Sequence, residues 1–172
     1  MTKFLDKYKL DNKVACIIGG LGLIGSEVSK AISDAGAKTL ILDIDSENGA
    51  KLSSDINEKG NYSKFIKFDC TDLVSISENL QKIYKEYKAI DIFVNCSYPR
   101  TEDWLNSSFE DVSLESYRKN IDMHLNSYIW SAKEVAEIMT KQNNGGYICL
   151  MGSIYGVLGQ DLSVYKGTEM KE

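Results

Sequence analysis

Short apolar runs that stop abruptly at glycine, aspartate or asparagine, each followed by a stretch of helical periodicity, constrain this chain more than any other feature. Val14-Ala15-Cys16-Ile17-Ile18 is continuously apolar and ends at Gly19, the pattern of a strand buried on both faces. Ile24, Val28, Ala31 and Ile32 then recur at helical spacing until Gly36 offers a C-cap. Thr39 to Leu42 predicts a second buried strand ending at Asp43, and Ser46 to Lys59 a polar helix stopped by Gly60. Phe65 to Phe68 predicts a third strand ending at Asp69. Leu73, Ile76, Leu80, Ile83 and Tyr87 mark one face of an amphipathic helix. Ile90 to Val94 predicts a fourth strand ending at Asn95, and residues 96–112 read as a long loop. The longest helix is expected from Ser113 to about Lys141, with Leu114, Tyr117, Ile121, Leu125, Tyr128, Ile129, Ala132 and Val135 on one stripe. Gly145-Gly146 breaks it before a fifth strand, Tyr147 to Met151.

Five strands alternating with four helices require right-handed parallel crossovers. The expected fold class is therefore α/β, a Rossmann-type doubly wound parallel sheet in three layers. Ligands on such sheets bind outside the carboxyl ends of the strands, and every residue singled out below falls at a strand end or on a segment that follows one. With 172 residues, 43% of them hydrophobic, the chain is long enough for a single domain, residues 1–172, with a real core. A net charge of −5 argues against nucleic acid as a partner. No apolar run is long enough to span a membrane, and Met1 to Lys13 lacks the apolar stretch of a signal peptide. Cys16, Cys70, Cys96 and Cys149 lie far apart without C-x-x-C spacing, so neither a metal site nor a disulfide framework is expected. All four sit in or beside apolar runs, as reduced cysteines do, and the expected compartment is the cytoplasm.

Gly20-Leu21-Gly22-Leu23-Ile24-Gly25 follows the first strand and opens the first helix. Glycines there permit a tight turn, let backbone amides approach a pyrophosphate, and let the helix pack closely on the strand. The string also reads as Gly19-x-x-Gly22-x-x-Gly25, so the spacing leaves the roles of Gly19 and Gly20 open. Asp43, closing the second strand, could accept hydrogen bonds from both ribose hydroxyls and would repel a 2′-phosphate. No Arg or Lys stands among Ile44, Asp45, Ser46 and Glu47, which favours NAD over NADP. Asp69 and Cys70, at the end of the third strand, could hold the adenine edge. Capping of the next helix by Thr71 or Asp72 is an equally good reading of that stretch and does not compete.

With these residues in place the chain resembles the short-chain dehydrogenase/reductase family over about Asn12 to Gly156. The carriers are the glycine loop, Asp69-Cys70-Thr71-Asp72, Val94-Asn95-Cys96-Ser97, and Gly146 to Ser153. Val94-Asn95 looks like the family's Asn-Asn-Ala-Gly motif, whose asparagine braces the central sheet beside the cofactor. Cys96 and Ser97 depart from that motif while occupying its place. The resemblance puts Ser153 where the family's catalytic serine hydrogen-bonds the substrate oxygen. It puts His124, the only histidine, where the family has an asparagine on the long helix. There the imidazole could hold a water in a proton relay, or it could be an ordinary hydrogen-bonded histidine near the core. The helix around Tyr117 to Ala136 resembles the family's dimerising helix, so a homo-oligomer is one expected partner.

The family's chemistry needs a Tyr-x-x-x-Lys pair on the helix after Ser153. Four residues beyond Tyr155 and Tyr165 stand Gly159 and Glu169, and the only Tyr-x-x-x-Lys, Tyr84/Lys88, lies on the helix before the fourth strand. Gly152 to Glu172 resembles the polar loop that some relatives insert before the catalytic helix, a style similar to members tied to bacterial surface-sugar pathways. The expectation is a C-terminally shortened chain with strand order 3-2-1-4-5, its last strands lacking their usual cover. Its function would be NAD-dependent hydride transfer to a carbonyl or alcohol of a small molecule such as a sugar or nucleotide-sugar, with little turnover by these residues alone. The alternative is a non-catalytic dinucleotide-binding module, or half of a split enzyme completed by another polypeptide. An S-adenosylmethionine methyltransferase would share the glycine loop and acid, but Asn95-Cys96-Ser97 and Ser153 fit it poorly.

Overall fold

The computed structural model describes residues 4–108 and 110–168. The elements are β1 (Val14–Ile18), α1 (Leu23–Asp34), β2 (Lys38–Asp43), α2 (Ser46–Glu58), β3 (Ser63–Lys67), α3 (Leu73–Tyr87), β4 (Ile92–Asn95), α4 (Leu114–Ile121), α5 (Ser127–Lys141) and β5 (Tyr147–Leu150). All five strands are parallel and lie in the order β3-β2-β1-β4-β5, as expected.

Alternation along the strands assigns the two faces. Cys16, Ile18, Leu40, Leu42 and Phe93 join Ile76, Leu80 and Ile83 of α3 and Val135 and Ile138 of α5 in one cluster. Ala15, Ile17 and Val94 pack with Val28 and Ile32 of α1 on the other face. Each fully buried Ile or Leu in these clusters contributes about 1.5–3 kcal/mol. Burial of β1 along its whole length accounts for its unbroken apolar run.

Helix faces depart from the expected stripes where small residues permit closer packing. In α1, Gly25, Ser29 and Ser33 are buried, whereas Ile24 and Ala31 are exposed. The expected long helix is α4 and α5 joined by a π-helical turn, Asp122–Asn126. Its buried positions are Ser116, Ser127, Ser131, Glu134, Val135, Ile138 and Met139, while Leu114, Tyr117, Ile121, Leu125 and Ile129 face solvent. Serines let α5 lie close to its neighbours, so the bulky stripe points outward. Glu134 is tolerated inside because Lys133 pairs with it at 2.9 Å.

The cysteines divide. Cys16 and Cys70 are buried, Cys96 is half-buried, and Cys149 is exposed because all of β5 is exposed, Tyr147 by 79%. Beyond β5, short 3-10 turns at Ile154–Gly156 and Leu162–Tyr165 are the regular structure up to Thr168. Glu169 and the rest of the expected polar loop lie outside the described residues.

Candidate functional site

β1 runs out at Gly19, whose φ of +67° lies in the left-handed region. A Cβ on Gly19 would stand 2.5 Å from the Ser97 Cα, so the loop lies directly against the chain leaving β4. Gly20 is wedged 2.8 Å from the Ile41 Cγ2, again by the position a Cβ would take. Both glycines are thus required, Gly19 by dihedral and crowding and Gly20 by crowding. Gly25, in the first turn of α1, is the tightest, since its Cβ would fall 2.0 Å from the Gly19 carbonyl oxygen.

Gly22 differs. The nearest protein atom to its Cβ position is 3.4 Å away, an ordinary contact. It is the N-cap of α1 and supplies no side-chain acceptor, so the helix presents the uncapped amides of its first turn, including Leu23 and Ile24. The side chains of Leu23 and Ile24 stand exposed at the rim, Leu23 by 96%. Such a helix end is a ready anion site.

Asp43 closes β2 beside this loop. Its Oδ2 accepts from the Leu21 N–H at 3.1 Å and its Oδ1 from the Ile44 N–H at 2.8 Å. Asp45 caps α2 through the Glu47 and Asn48 amides. The Asn48 side chain, bonded at 2.7 Å, leads the contacts that hold the Asp45 carboxyl below its ordinary range. Between the two helix starts runs a groove of about 290 Å³, lined by Leu21, Ser26, Asp45, Asn48, Lys51 and Leu52 among others.

At the next strand end Asp69 accepts from the Thr71 N–H (2.8 Å) and hydroxyl (2.7 Å), while Asp72 caps α3. The Cys70 thiol is buried, and burial raises its pKa. Asn95 is fully buried at the end of β4, where its Oδ1 accepts from the Ser97 amide (3.0 Å) and hydroxyl (2.6 Å). The Asn95 Nδ2 has no hydrogen-bond partner among the described residues, an unused donor beside the glycine loop. The Cys96 amide donates to Ile18 at 2.8 Å, and the Tyr128 hydroxyl donates to the Ser97 carbonyl.

His124 falls in the π-helical turn, a distortion frequent at functional sites. Its ring packs on Tyr98 at 4.9 Å and on Tyr128 at 6.1 Å. Burial lowers its pKa, against an opposing interaction with the Pro99 backbone, so it stays neutral near pH 7. Ser153 follows β5, and its hydroxyl accepts from the Tyr155 N–H at 3.2 Å. The Met151 amide donates to the Asn95 carbonyl, which brings this segment to the same edge as Asn95. Ser153 and His124 share no hydrogen bond among the described residues.

The expected residues therefore divide between the loop of Gly19, Gly20, Gly22 and Gly25 with Asp43, the Asp69-Cys70 strand end, the Asn95-Ser97 turn, and the separate positions of His124 and Ser153. Sequence reasoning missed Tyr98, Tyr128 and the π-helical turn. Tyr98-Pro99-Arg100, directly after a strand end, was the available signal for the first.

Fold and glycine loop together define an α/β protein of the dinucleotide-binding, Rossmann type. The chain belongs to the short chain dehydrogenases, whose family model matches residues 13–168. It is 28% identical over 163 residues to the post-translational flagellin modification protein A of Campylobacter coli, covering 94% of this chain and 63% of that one. It is 31% identical over 154 residues to the galactitol 2-dehydrogenase of Agrobacterium fabrum, covering 90% and 57%. A solved short-chain type dehydrogenase/reductase from Mycobacterium marinum superposes with a TM-score of 0.82 at 25% identity, covering 92% of this chain and 63% of that one. The chain thus spans less than two thirds of the length of these relatives. Short chain dehydrogenases are oxidoreductases that bind NAD or NADP, and membership of that family displaces the methyltransferase reading. No helix among the described residues is long and apolar enough to cross a membrane.

Proposed function

We propose that this chain is the cofactor-binding part of an NAD-dependent oxidoreductase acting on the carbonyl or alcohol of a sugar, polyol or nucleotide-sugar. The observation that carries the reading is the Asp43 carboxylate hydrogen-bonded to the glycine loop at Leu21, next to the uncapped start of α1. Leu23 and Ile24 hold the pyrophosphate with backbone amides, while Gly22, whose own amide donates to the Gly19 carbonyl at 3.1 Å, joins Gly19, Gly20 and Gly25 in permitting its close approach. Asp43 accepts from the adenosine ribose, and Asp45 beside it adds a second negative charge against a 2′-phosphate. Asp69 and Cys70 border the adenine. Asn95, Cys96 and Ser97 form the floor under the nicotinamide, with the free Asn95 Nδ2 as a remaining donor.

Bound there, the nicotinamide supplies hydride transfer to or from the carbinol carbon. Ser153 polarises the substrate oxygen with its hydroxyl. His124, neutral near pH 7, holds a water on the same side. No Tyr-x-x-x-Lys follows Ser153 in these 172 residues, and loss of a general acid/base lowers rate by about 10²–10⁴. The purified chain is therefore expected to bind cofactor and turn over little. The galactitol 2-dehydrogenase of Agrobacterium fabrum supports the polyol class. Free thiols support a cytoplasmic setting.

Competition between NADH and NADPH tests the reading, with NADH expected to bind more tightly. Equal or tighter binding of NADPH overturns the cofactor assignment, and robust substrate-dependent NADH formation overturns the expected low turnover. Exposure of β5 along its whole length favours a second reading, a module completed by another polypeptide laid against that strand. The outward stripe of Leu114, Tyr117, Ile121, Leu125 and Ile129 offers a separate surface for a homo-oligomer. Light scattering of the purified chain distinguishes monomer from oligomer.

A further inference from the structure

The loop between β4 and α4 carries a group of side chains that cofactor binding does not use. The Arg100 guanidinium carbon lies 4.2 Å from the centre of the Trp104 ring and 6.0 Å from that of Tyr98. The two rings meet edge to face at 6.1 Å. Tyr98 packs on His124, and His124 on Tyr128, whose hydroxyl donates to the Ser97 carbonyl. A continuous row of rings thus leads from the Asn95 end of β4 out to Arg100.

Arg100 forms no ion pair among the described residues. The acid three residues on, Asp103, is instead bonded to the Ser107 and Ser116 hydroxyls at 2.9 Å each. A guanidinium laid on an aromatic face is weakly hydrated and fixed in orientation, and its N–H groups remain available at the edge. That fork matches a carboxylate or phosphate bidentately. Alternatively an exposed arginine pairs with a neighbouring acid, and here it does not.

We propose that Arg100, held on Trp104 and Tyr98, determines specificity by binding an anionic group, carboxylate or phosphate, of a hydroxylated substrate whose reacting carbon lies toward Ser153 and His124. The proposal rests on the oxidoreductase reading above, and its test separates the two. In a Trp130→Phe background Trp104 is the remaining indole, and its emission is followed during titration with D-gluconate, glucose 6-phosphate or the neutral polyol D-sorbitol, all without NADH. Saturable quenching by one or both anions, and not by sorbitol, is expected, and which anion responds identifies the group.

Arg100→Gln should weaken anion binding about 10- to 100-fold, and Arg100→Lys should keep part of it by retaining the charge without the fork. A sorbitol response equal to the anions, no response to either anion, or an unaltered Arg100→Gln variant overturns the proposal. NADH titrations by calorimetry on the same proteins separate the causes. NADH binding with no anion response places the failure on Arg100 alone, whereas loss of NADH binding by the parent chain places it on the cofactor reading.

Discussion

The two ends of the parallel sheet are built from similar residues and treated differently. At the amino end, the Asp91 carboxylate is buried between β1 and β5 with donors on both of its oxygens. It accepts from the Val14 amide at 2.9 Å, the Lys13 ammonium at 3.1 Å and the Asn144 side chain at 2.8 Å. The Asp91 backbone reaches both strands, donating to the Val14 carbonyl and accepting from the Tyr147 amide. At the carboxyl end, Asn95 is equally buried yet keeps an unpartnered Nδ2, Gly22 leaves helix amides uncapped, and Asp43 holds the loop at the surface. A carboxylate with every neighbour satisfied is a structural clamp. Unpartnered hydroxyls are also buried at the amino ends of β2 and β3, at Thr39 and Ser63. The carboxyl end is therefore set apart by bringing the Asn95 donor together with uncapped helix amides around one glycine loop.

The difference can be broken or sharpened by substitution. Gly25→Ala should have the largest effect, because its Cβ would overlap the Gly19 carbonyl oxygen; destabilisation by about 3 kcal/mol and loss of NADH binding are expected, read by urea unfolding and calorimetry. Asp91→Ala should cost about 2–3 kcal/mol by stranding the Val14 amide, with NADH affinity in the remaining folded protein unchanged. An equal loss of NADH affinity would show that the two ends are not separable.

Gly22→Ala should change stability by no more than about 0.5 kcal/mol, since its Cβ meets only an ordinary contact, yet weaken NADH binding at least about tenfold. The smallest effect is expected from His124. Its folded pKa lies below the ordinary 6.5, first because of burial, so the unfolded chain binds more protons as pH falls below that value. Stability should therefore decline as pH drops from about 6.5 toward 5, and the His124→Gln variant should show a flatter profile in thermal melts.

The sheet was legible because its strands are buried, and burial on both faces writes itself as unbroken apolar runs such as Val14 to Ile18. The glycine loop and Asp43 were legible because close approach admits few residue types. The direction of the helix faces was not, because α1 and α5 meet their neighbours through Ser29, Ser33, Ser127 and Ser131, which hydrophobic periodicity does not count. Nor did periodicity register the π-helical turn that carries His124, where one turn is wound more widely without a change of composition. The ring cluster of Tyr98, Trp104 and His124 depends on a loop folding back on a helix, which spacing alone does not encode.

The most direct test of a dinucleotide site at the carboxyl ends of the strands is an NADH titration by calorimetry, run on the parent chain and on Gly22→Ala at matched thermal stability. Saturable binding by the parent, with strong loss in the folded variant, is the predicted result. Absence of binding to the folded parent at millimolar NADH, or equal binding by the two, would contradict it.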